Sequence, residues 1–138
     1  MEHQNLDGHP GGCLCGAVRY ECTHVPDRVI ACHCSHCRRA SGSGYSLNIV
    51  VPETSVTHLG HPPAIYRDRS DAGRVVERMY CRECGSPIAS RTSLLPGQLL
   101  LKAGSLDSPP QAAPVLQVWA ASALPWAMLP SIPAREHG

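Results

Sequence analysis

The sequence has few aromatic residues and no phenylalanine: four tyrosines and two tryptophans are the whole aromatic content of 138 residues. Aromatic side chains bury large areas and dominate the energetics of many cores, so this core has to be built mainly from aliphatic side chains. The two tryptophans, Trp119 and Trp126, are accordingly expected to be buried. The length suits one domain, and we expect something besides packing to help hold it together.

The sequence also lacks a surplus of either charge. Twelve Lys and Arg residues are balanced by eleven Asp and Glu, which leaves a formal net charge of +1. Proteins that bind nucleic acid through its phosphates need a basic surplus, so no nucleic-acid partner is predicted. The most apolar stretch, residues 115–129, is interrupted by Gln117, Ser122 and Pro125, so we predict no membrane-spanning segment and no membrane partner.

The N-terminus lacks the basic start and apolar segment of a secretory signal peptide. We therefore expect a cytoplasmic protein, in a compartment where thiols stay reduced. Residues 1–10 are polar and rich in Gly and His, which predicts a flexible arm before a folded domain over residues 11–138. In a reducing compartment the eight cysteines indicate metal or redox chemistry rather than disulfides.

Short β runs between turn residues make up most of the chain, which contains thirteen Pro and twelve Gly. Alternation of apolar and polar residues predicts a strand over Ala17–Cys22, with Val18, Tyr20 and Cys22 on its buried side. Further strands are predicted over residues 28–32, 45–51, 55–59, 74–80, 87–91, 98–102 and 116–120, with one helical turn over residues 35–40. The predicted fold class is mainly β.

Seven of the eight cysteines fall into three groups. The groups are Cys13-Leu14-Cys15-Gly16, Cys32-His33-Cys34-Ser35-His36-Cys37 and Cys81-Arg82-Glu83-Cys84-Gly85. A closely spaced pair followed by Gly is typical of a metal knuckle, and a structural zinc prefers four tetrahedral ligands. The first and last groups together supply four thiols: Cys13, Cys15, Cys81 and Cys84. A zinc ion on these thiols would tie two distant segments together and add its binding free energy to folding.

The middle group, Cys32, Cys34 and Cys37, has no second pair to complete it. Three protein ligands with one open position are typical of a catalytic zinc. The remaining cysteine, Cys22, could close a second four-thiolate site. Its place on the buried side of a strand favours a core position instead, because free cysteine is among the most buried residue types.

Two further interpretations of the middle group stay open. His33 and His36 lie between its cysteines and could bind the metal, although a histidine beside a metal site more often supports the ligands. The run Cys34-Ser35-His36-Cys37 could be a thiol redox motif, which would require a βαβ setting.

The residues around the cysteines extend the pattern into three ordered motifs. They are Gly12-Cys13-Leu14-Cys15-Gly16-Ala17-Val18-Arg19-Tyr20, Cys32-His33-Cys34-Ser35-His36-Cys37-Arg38-Arg39-Ala40-Ser41-Gly42-Ser43 and Tyr80-Cys81-Arg82-Glu83-Cys84-Gly85-Ser86-Pro87. Together they resemble the glutathione-dependent formaldehyde-activating enzyme family, which includes centromere protein V-like proteins. The resemblance covers about residues 11–130 and is closer to the short branch of that family.

This resemblance implies a single-domain β-tent of small antiparallel sheets stapled by zinc. It implies a structural zinc on the four outer cysteines and a catalytic zinc on Cys32, Cys34 and Cys37. Family members are similar to carbon–sulfur lyases that join glutathione and formaldehyde as S-hydroxymethylglutathione, so a small thiol such as glutathione is the implied partner. Many members carry His in the strand before the tryptophan, where this sequence has Gln117.

Three thiolates make zinc a poor Lewis acid, because sulfur donates its charge to the metal. Such a site favours holding a substrate thiol as a thiolate, ready to attack a small aldehyde, over simple hydrolysis. The added negative charge needs nearby cations, and Arg38 and Arg39 directly follow the last ligand, so we predict that they bind substrate.

The sequence thus predicts a zinc-dependent carbon–sulfur lyase that acts on the adduct of a glutathione-type thiol and a small aldehyde. One alternative is a binding module with two structural zinc sites and no catalysis. The other is a thiol redox or metal-handling protein.

Overall fold

The computed structural model describes residues 8–138, which form ten short strands, one α-helix and three single-turn 3₁₀ helices. The strands are β1 (His9–Gly12), β2 (Arg19–Cys22), β3 (Val29–Cys32), β4 (Ser46–Pro52), β5 (Val56–His58), β6 (Ala64–Arg69), β7 (Val75–Tyr80), β8 (Pro87–Thr92), β9 (Gln98–Lys102) and β10 (Leu116–Val118). The helix, α1, spans Ser35–Ser41, and the 3₁₀ turns lie at Glu53–Ser55, Ala103–Ser105 and Ala120–Ser122. The predicted mainly β class is confirmed.

The strands form two sheets. The smaller is antiparallel in the order β1-β2-β5, and the larger has the order β10-β3-β4-β9-β8-β7-β6. Within the larger sheet β10 runs parallel to β3, while the other neighbouring pairs are antiparallel. The implied antiparallel arrangement is therefore corrected at one edge, where β10 joins β3 in parallel after the intervening strands β4 to β9.

The core contains residues from both sheets and is largely aliphatic. Ile49 and Val51 of β4 and Leu99 and Leu101 of β9 are each at most 2% exposed. Tyr20 is the aromatic member of this core, and its hydroxyl lies 2.7 Å from Ser105 Oγ. Successive strand residues point to opposite faces, so the residues between these core positions face the other side of the larger sheet.

The two tryptophans lie outside the core, so the prediction that they are buried is wrong. Trp126 is 75% exposed, and its indole lies over Gly44. Trp119 is partly buried and has a left-handed backbone with φ 58°. Both follow β10, where the chain has already left the larger sheet. Cys22, in contrast, is fully buried as predicted, and its thiol donates to the carbonyl of His24 at 3.3 Å.

The predicted strands agree with the structure to within two residues at each end, but two strands are not predicted. One of them, β6, carries three charged residues in succession and shows little alternation. The other, β1, overlaps the predicted flexible arm: His9 and Pro10 pair with Cys22 and Glu21. The rest of the predicted arm, residues 1–7, lies outside the described residues.

Candidate metal centres and adjoining cavities

The four outer cysteines meet where the β1–β2 connection lies against the β7–β8 connection. Their Sγ atoms all lie within 4.8 Å of one another. Cys15 Sγ is 3.6 Å from Cys13 Sγ and 3.8 Å from Cys81 Sγ. A tetrahedral zinc with Zn–S bonds of about 2.3 Å would hold its sulfurs about 3.8 Å apart. This donor set therefore fits a four-coordinate zinc ion.

Glycines and backbone amides shape both halves of this outer cluster. Gly16 and Gly85 follow the second cysteine of each pair and have φ values of 85° and 79°, a conformation that favours glycine. The backbone N–H of Val18 donates to Cys13 Sγ at 3.2 Å, and Cys81 Sγ accepts a similar bond at 3.3 Å. Such bonds favour the thiolate over the thiol, which is the form that binds metal.

Ser86 connects the two halves of the outer cluster. Its Oγ accepts the backbone N–H of Leu14 at 3.1 Å and lies 3.2 Å from Cys84 Sγ. The hydrogen bond from Ser86 lowers the pKa of Cys84 to about 5. Ser86 thus favours the thiolate form of Cys84, which is the form that binds metal.

The three inner cysteines lie at the end of β3 and on the first turn of α1. Their Sγ atoms also lie within 4.8 Å of one another, and no fourth Cys, His, Asp or Glu in residues 8–138 joins them. Cys34 is the N-cap of α1, and its sulfur accepts the N–H of Cys37 at 3.2 Å. One helical turn thus sets Cys34 and Cys37 on the same side, beside Cys32. Cys22 lies in the core and does not complete this inner cluster.

Neither histidine between the inner cysteines joins the cluster. His33 is fully buried, and its Nε2 lies 2.9 Å from Gln117 Oε1. His36 lies 2.9 Å from Asp68 through Nδ1 and 3.1 Å from Asp71 through Nε2. Both ring nitrogens of His36 are therefore paired with carboxylates, and its role is to hold the adjoining loop and strand against α1.

Gln117, at the position where the resemblance implies His, has a side chain that faces away from the inner cluster. Its amide nitrogen donates to the carbonyls of Leu129 and Ile132 at 2.7 and 3.0 Å. Its Oε1 accepts the N–H of Leu129 at 3.2 Å. The neighbours Leu116 and Val118 face the opposite side of β10, as strand alternation requires. Gln117 therefore ties the C-terminal segment to the sheet.

Arg78 is a cation beside the inner cluster that the sequence did not single out. Its side chain is 15% exposed, and its Nε–H donates to Asp68 Oδ2 at 3.0 Å. Burial acts to lower the pKa of Arg78, but the negative charges of Cys37 and Asp68 outweigh it and raise the pKa. Arg78 therefore keeps a positive charge next to the thiols.

Lys102 is a second such cation and the one lysine in the sequence. Its Nζ donates to Asn48 Oδ1 at 2.6 Å, and burial lowers its pKa. Hydrogen bonds from Cys32 and Cys34, together with the charge of Lys102, hold the pKa of Cys37 well below its usual range. These neighbours favour the thiolate form of Cys37 over its thiol.

Two cavities adjoin the inner cluster and share Cys37, Arg78 and Lys102. The aliphatic cavity, of about 300 Å³, is bordered by all three inner cysteines and by an apolar wall of Ile30, Val50, Val76, Leu100, Leu116 and Val118. The hydroxyl cavity, of about 510 Å³, is bordered by Ser41, Ser43, Tyr45, Ser46, Tyr66 and Tyr80.

The predicted substrate-binding residues, Arg38 and Arg39, lie on α1 directly after Cys37. Arg38 is partly buried and Arg39 is exposed. Neither borders the aliphatic cavity or the hydroxyl cavity. The cations that do border both cavities, Arg78 and Lys102, come from strands far along the chain.

No helix in the described part of the chain is long and apolar enough to cross a membrane.

Comparison with known proteins identifies a family that this chain matches. The model of the family described as glutathione-dependent formaldehyde-activating enzyme matches residues 9–122. A Podospora anserina protein that carries this family name is 37% identical over 92 residues, which are 62% of this chain and 41% of that protein. The chain therefore matches less than half the length of that relative.

A solved structure shows the same fold. A Rhodobacter sphaeroides protein with a crystal structure is 17% identical and superposes with a TM-score of 0.59, over 91% of this chain and 99% of its own. With the family match over most of its length, this chain belongs to the glutathione-dependent formaldehyde-activating enzyme family.

Proposed function

We propose that this chain is a zinc-dependent carbon–sulfur lyase that forms and cleaves the adduct of a glutathione-type thiol and an aldehyde. The observation that carries the proposal is the inner cluster, where three thiols without a fourth protein ligand in residues 8–138 adjoin two cavities. Membership of an enzyme family named for glutathione-dependent formaldehyde activation supports the same reaction.

Zinc is the ion proposed for both clusters. Cys13, Cys15, Cys81 and Cys84 would hold a structural ion, and Cys32, Cys34 and Cys37 would hold a second one, since thiolate sets of this kind favour zinc. Bound at the inner cluster, zinc supplies a position at which a substrate thiol loses its proton.

The reaction requires stabilisation of negative charge and a destination for one proton. The S–C bond forms from a lone pair of the sulfur, the carbonyl π pair moves onto oxygen, and the thiol's proton ends on that oxygen. Arg78 and Lys102 border both cavities, so their cations are positioned to stabilise charge first on sulfur and then on oxygen. Asp68 and Asn48 hold these two cations at 3.0 and 2.6 Å.

The cysteines also support a proposal for the cellular compartment of the protein. All eight are free thiols, and ligand thiols of this kind persist in a reducing compartment such as the cytoplasm.

The experiment is a condensation assay with glutathione and formaldehyde on the zinc-loaded chain, followed by NMR exchange between the free thiol and the adduct. The proposal predicts a rate well above the uncatalysed reaction, which Cys34→Ser and zinc chelation both remove. A rate equal to the uncatalysed one with glutathione and with other small thiols would contradict the proposed chemistry. Reversible oxidation of Cys34 and Cys37 in place of that rate would favour the thiol redox alternative.

A further inference from the structure

The aliphatic cavity has a wall that formaldehyde cannot use. Its six aliphatic residues come from five strands and are all partly exposed. Val50 lies between the core residues Ile49 and Val51, so it faces away from the core. Keeping apolar surface in contact with water costs about 25 cal/mol per Å². An aliphatic wall of this kind therefore indicates a ligand with apolar surface of its own.

The border of the aliphatic cavity is mixed. Polar side chains such as Asn48, Arg78 and Lys102 border it beside the three thiols, and Asp71, Arg74 and Arg135 border it as well, while aliphatic residues such as Val76, Leu100 and Leu116 form its apolar wall. A ligand whose sulfur reaches the cysteines would lay the group attached to that sulfur along the aliphatic wall. The cavity volume of about 300 Å³ is at the lower end of the range for small-molecule sites. Formaldehyde, with a single carbon, leaves this space unfilled.

The hydroxyl cavity, which also borders Cys37, offers hydroxyl groups beside apolar residues such as Leu47 and Met79. Its border of serine and tyrosine hydroxyls can hydrogen-bond amide and carboxylate groups, as the body of a peptide-like thiol requires. One cavity with an aliphatic wall and one with several hydroxyls, which share Cys37, Arg78 and Lys102, suit a substrate with one polar half and one apolar half.

We infer that the aldehyde half of the adduct carries a hydrocarbon group of several carbons, which the aliphatic cavity holds while the polar thiol body lies in the hydroxyl cavity. The inference rests on the proposed thiol–aldehyde reaction and names a longer-chain aldehyde as its electrophile. The bond changes are those given above, with S–C formed and the thiol proton transferred to the carbonyl oxygen, so no further reactant is needed.

The test uses S-alkylglutathiones from S-methyl to S-hexyl, titrated calorimetrically into the zinc-loaded chain. These thioethers contain the S–C bond of the adduct and do not react. Burying a methylene contributes about 0.8 kcal/mol, so the affinity is expected to rise about 4-fold with each added methylene. Equal affinities along the series, or no binding by any member, would overturn the inference.

Variants of residues that border the aliphatic cavity test whether the gain in affinity per methylene arises there. Val76→Trp fills the cavity and Leu100→Asn makes its wall polar, so each is expected to reduce the increment to below about 1.5-fold per methylene. The matched control is Ile65→Trp, on the edge strand β6, where Ile65 is 49% exposed and borders neither cavity. It should keep the full increment. Circular dichroism shows which variants fold. If Val76→Trp does not fold, the result for Leu100→Asn tests the inference.

Two further outcomes separate the inference from its alternatives. A dimer in sedimentation that Val76→Trp dissociates, together with a flat series, assigns the wall to a second copy of the chain and overturns the inference. If the chain condenses formaldehyde but binds all S-alkylglutathiones equally well, the proposed lyase reaction stands and the inference of a hydrocarbon group is wrong. If affinity rises along the series but no aldehyde is condensed, the cavity binds an apolar ligand and the proposed reaction is wrong.

Discussion

The outer and inner clusters use the same side chain in opposite settings. The outer cluster has four thiols at the junction of two turns, with Cys15 exposed and backbone N–H groups donating to its sulfurs. The inner cluster has three thiols, with Cys32 buried, two cations beside it and two cavities against it. The difference shows that the number of thiols in a set and the surroundings of that set act together. A closed set can stabilise a fold, while an incomplete set beside a cavity can bind something else.

The largest effect is expected from breaking the outer cluster. Cys81→Ser alters a side chain that is 1% exposed and that links two distant connections. Structural zinc contributes on the order of 10 kcal/mol to folding in zinc-finger peptides, so the Tm is expected to fall by at least about 10 °C with loss of one zinc ion. Thermal denaturation and zinc analysis measure both.

The matched control for that variant is Cys22→Ala. Cys22 is as deeply buried as Cys81 but lies outside both clusters, so its variant should keep the full zinc content and lose only packing. Equal losses of zinc and of Tm in the two variants would contradict a structural role specific to the outer cluster.

Breaking the inner cluster should separate activity from stability. Cys34→Ser removes one candidate metal ligand but keeps a good N-cap for α1, because serine is a preferred N-cap residue. We expect activity to fall at least about 100-fold while the Tm changes by less than about 5 °C. Steady-state rates and thermal denaturation of the same preparation check this. A fall in Tm as large as that of Cys81→Ser would make the inner cluster structural too.

The cations beside the inner cluster should have a smaller effect. Arg78→Gln removes a charge that borders both cavities, and kcat/KM is expected to fall about 10- to 100-fold. The double variant Arg38→Gln with Arg39→Gln tests the prediction made from sequence adjacency. Because neither arginine borders a cavity, its kcat/KM should change less than about 2-fold. The reverse order of effects would support the prediction that Arg38 and Arg39 bind substrate.

The smallest effect is expected at an ion pair on the outer-cluster side of the molecule. Arg19 donates to both oxygens of Asp107, at 3.1 and 2.6 Å, and lowers the pKa of Asp107. Because the folded-state pKa is the lower one, the pair's contribution is complete above the unfolded pKa of about 4 and is lost as the pH falls through the folded value.

The variant Asp107→Asn measures that contribution. The two side chains are 36% and 47% exposed, so at neutral pH the loss of stability should stay below about 1 kcal/mol. At a pH below the folded pKa the difference from the unchanged chain should vanish, and activity should not change at either pH. An activity loss in Asp107→Asn would contradict the claim that activity depends on the inner cluster and not on the outer-cluster side of the molecule.

The sequence predicts the cysteine sets well, because ligand spacing within a turn is a local property. Cys34 and Cys37 are brought together by one turn of helix, which their three-residue spacing already indicates. The charged residues are different: Asp68, Arg78 and Lys102 reach the inner cluster through strand register, and register is not encoded in any short segment. Adjacency to Cys37 in the sequence instead favoured Arg38 and Arg39 as the substrate-binding residues.

One weak local indication of these cations exists. Arg78 follows Val76 by two positions and Lys102 follows Leu100 by two, so each shares a strand face with an aliphatic residue. A charge at such a position is either solvated or paired with something buried, and only the sheet order decides which. The unpredicted strand β6, which carries Asp68, explains why the pairing could not be foreseen.

The count of sulfur ligands around zinc tests the central claim most directly. X-ray absorption at the zinc edge of the fully loaded chain should give about 3.5 sulfur neighbours per ion, the average of a four-thiol and a three-thiol site. Added glutathione should raise that average toward about 4 as its thiol joins the inner site. An average of four sulfurs before any thiol is added, unchanged afterwards, would contradict an open inner site.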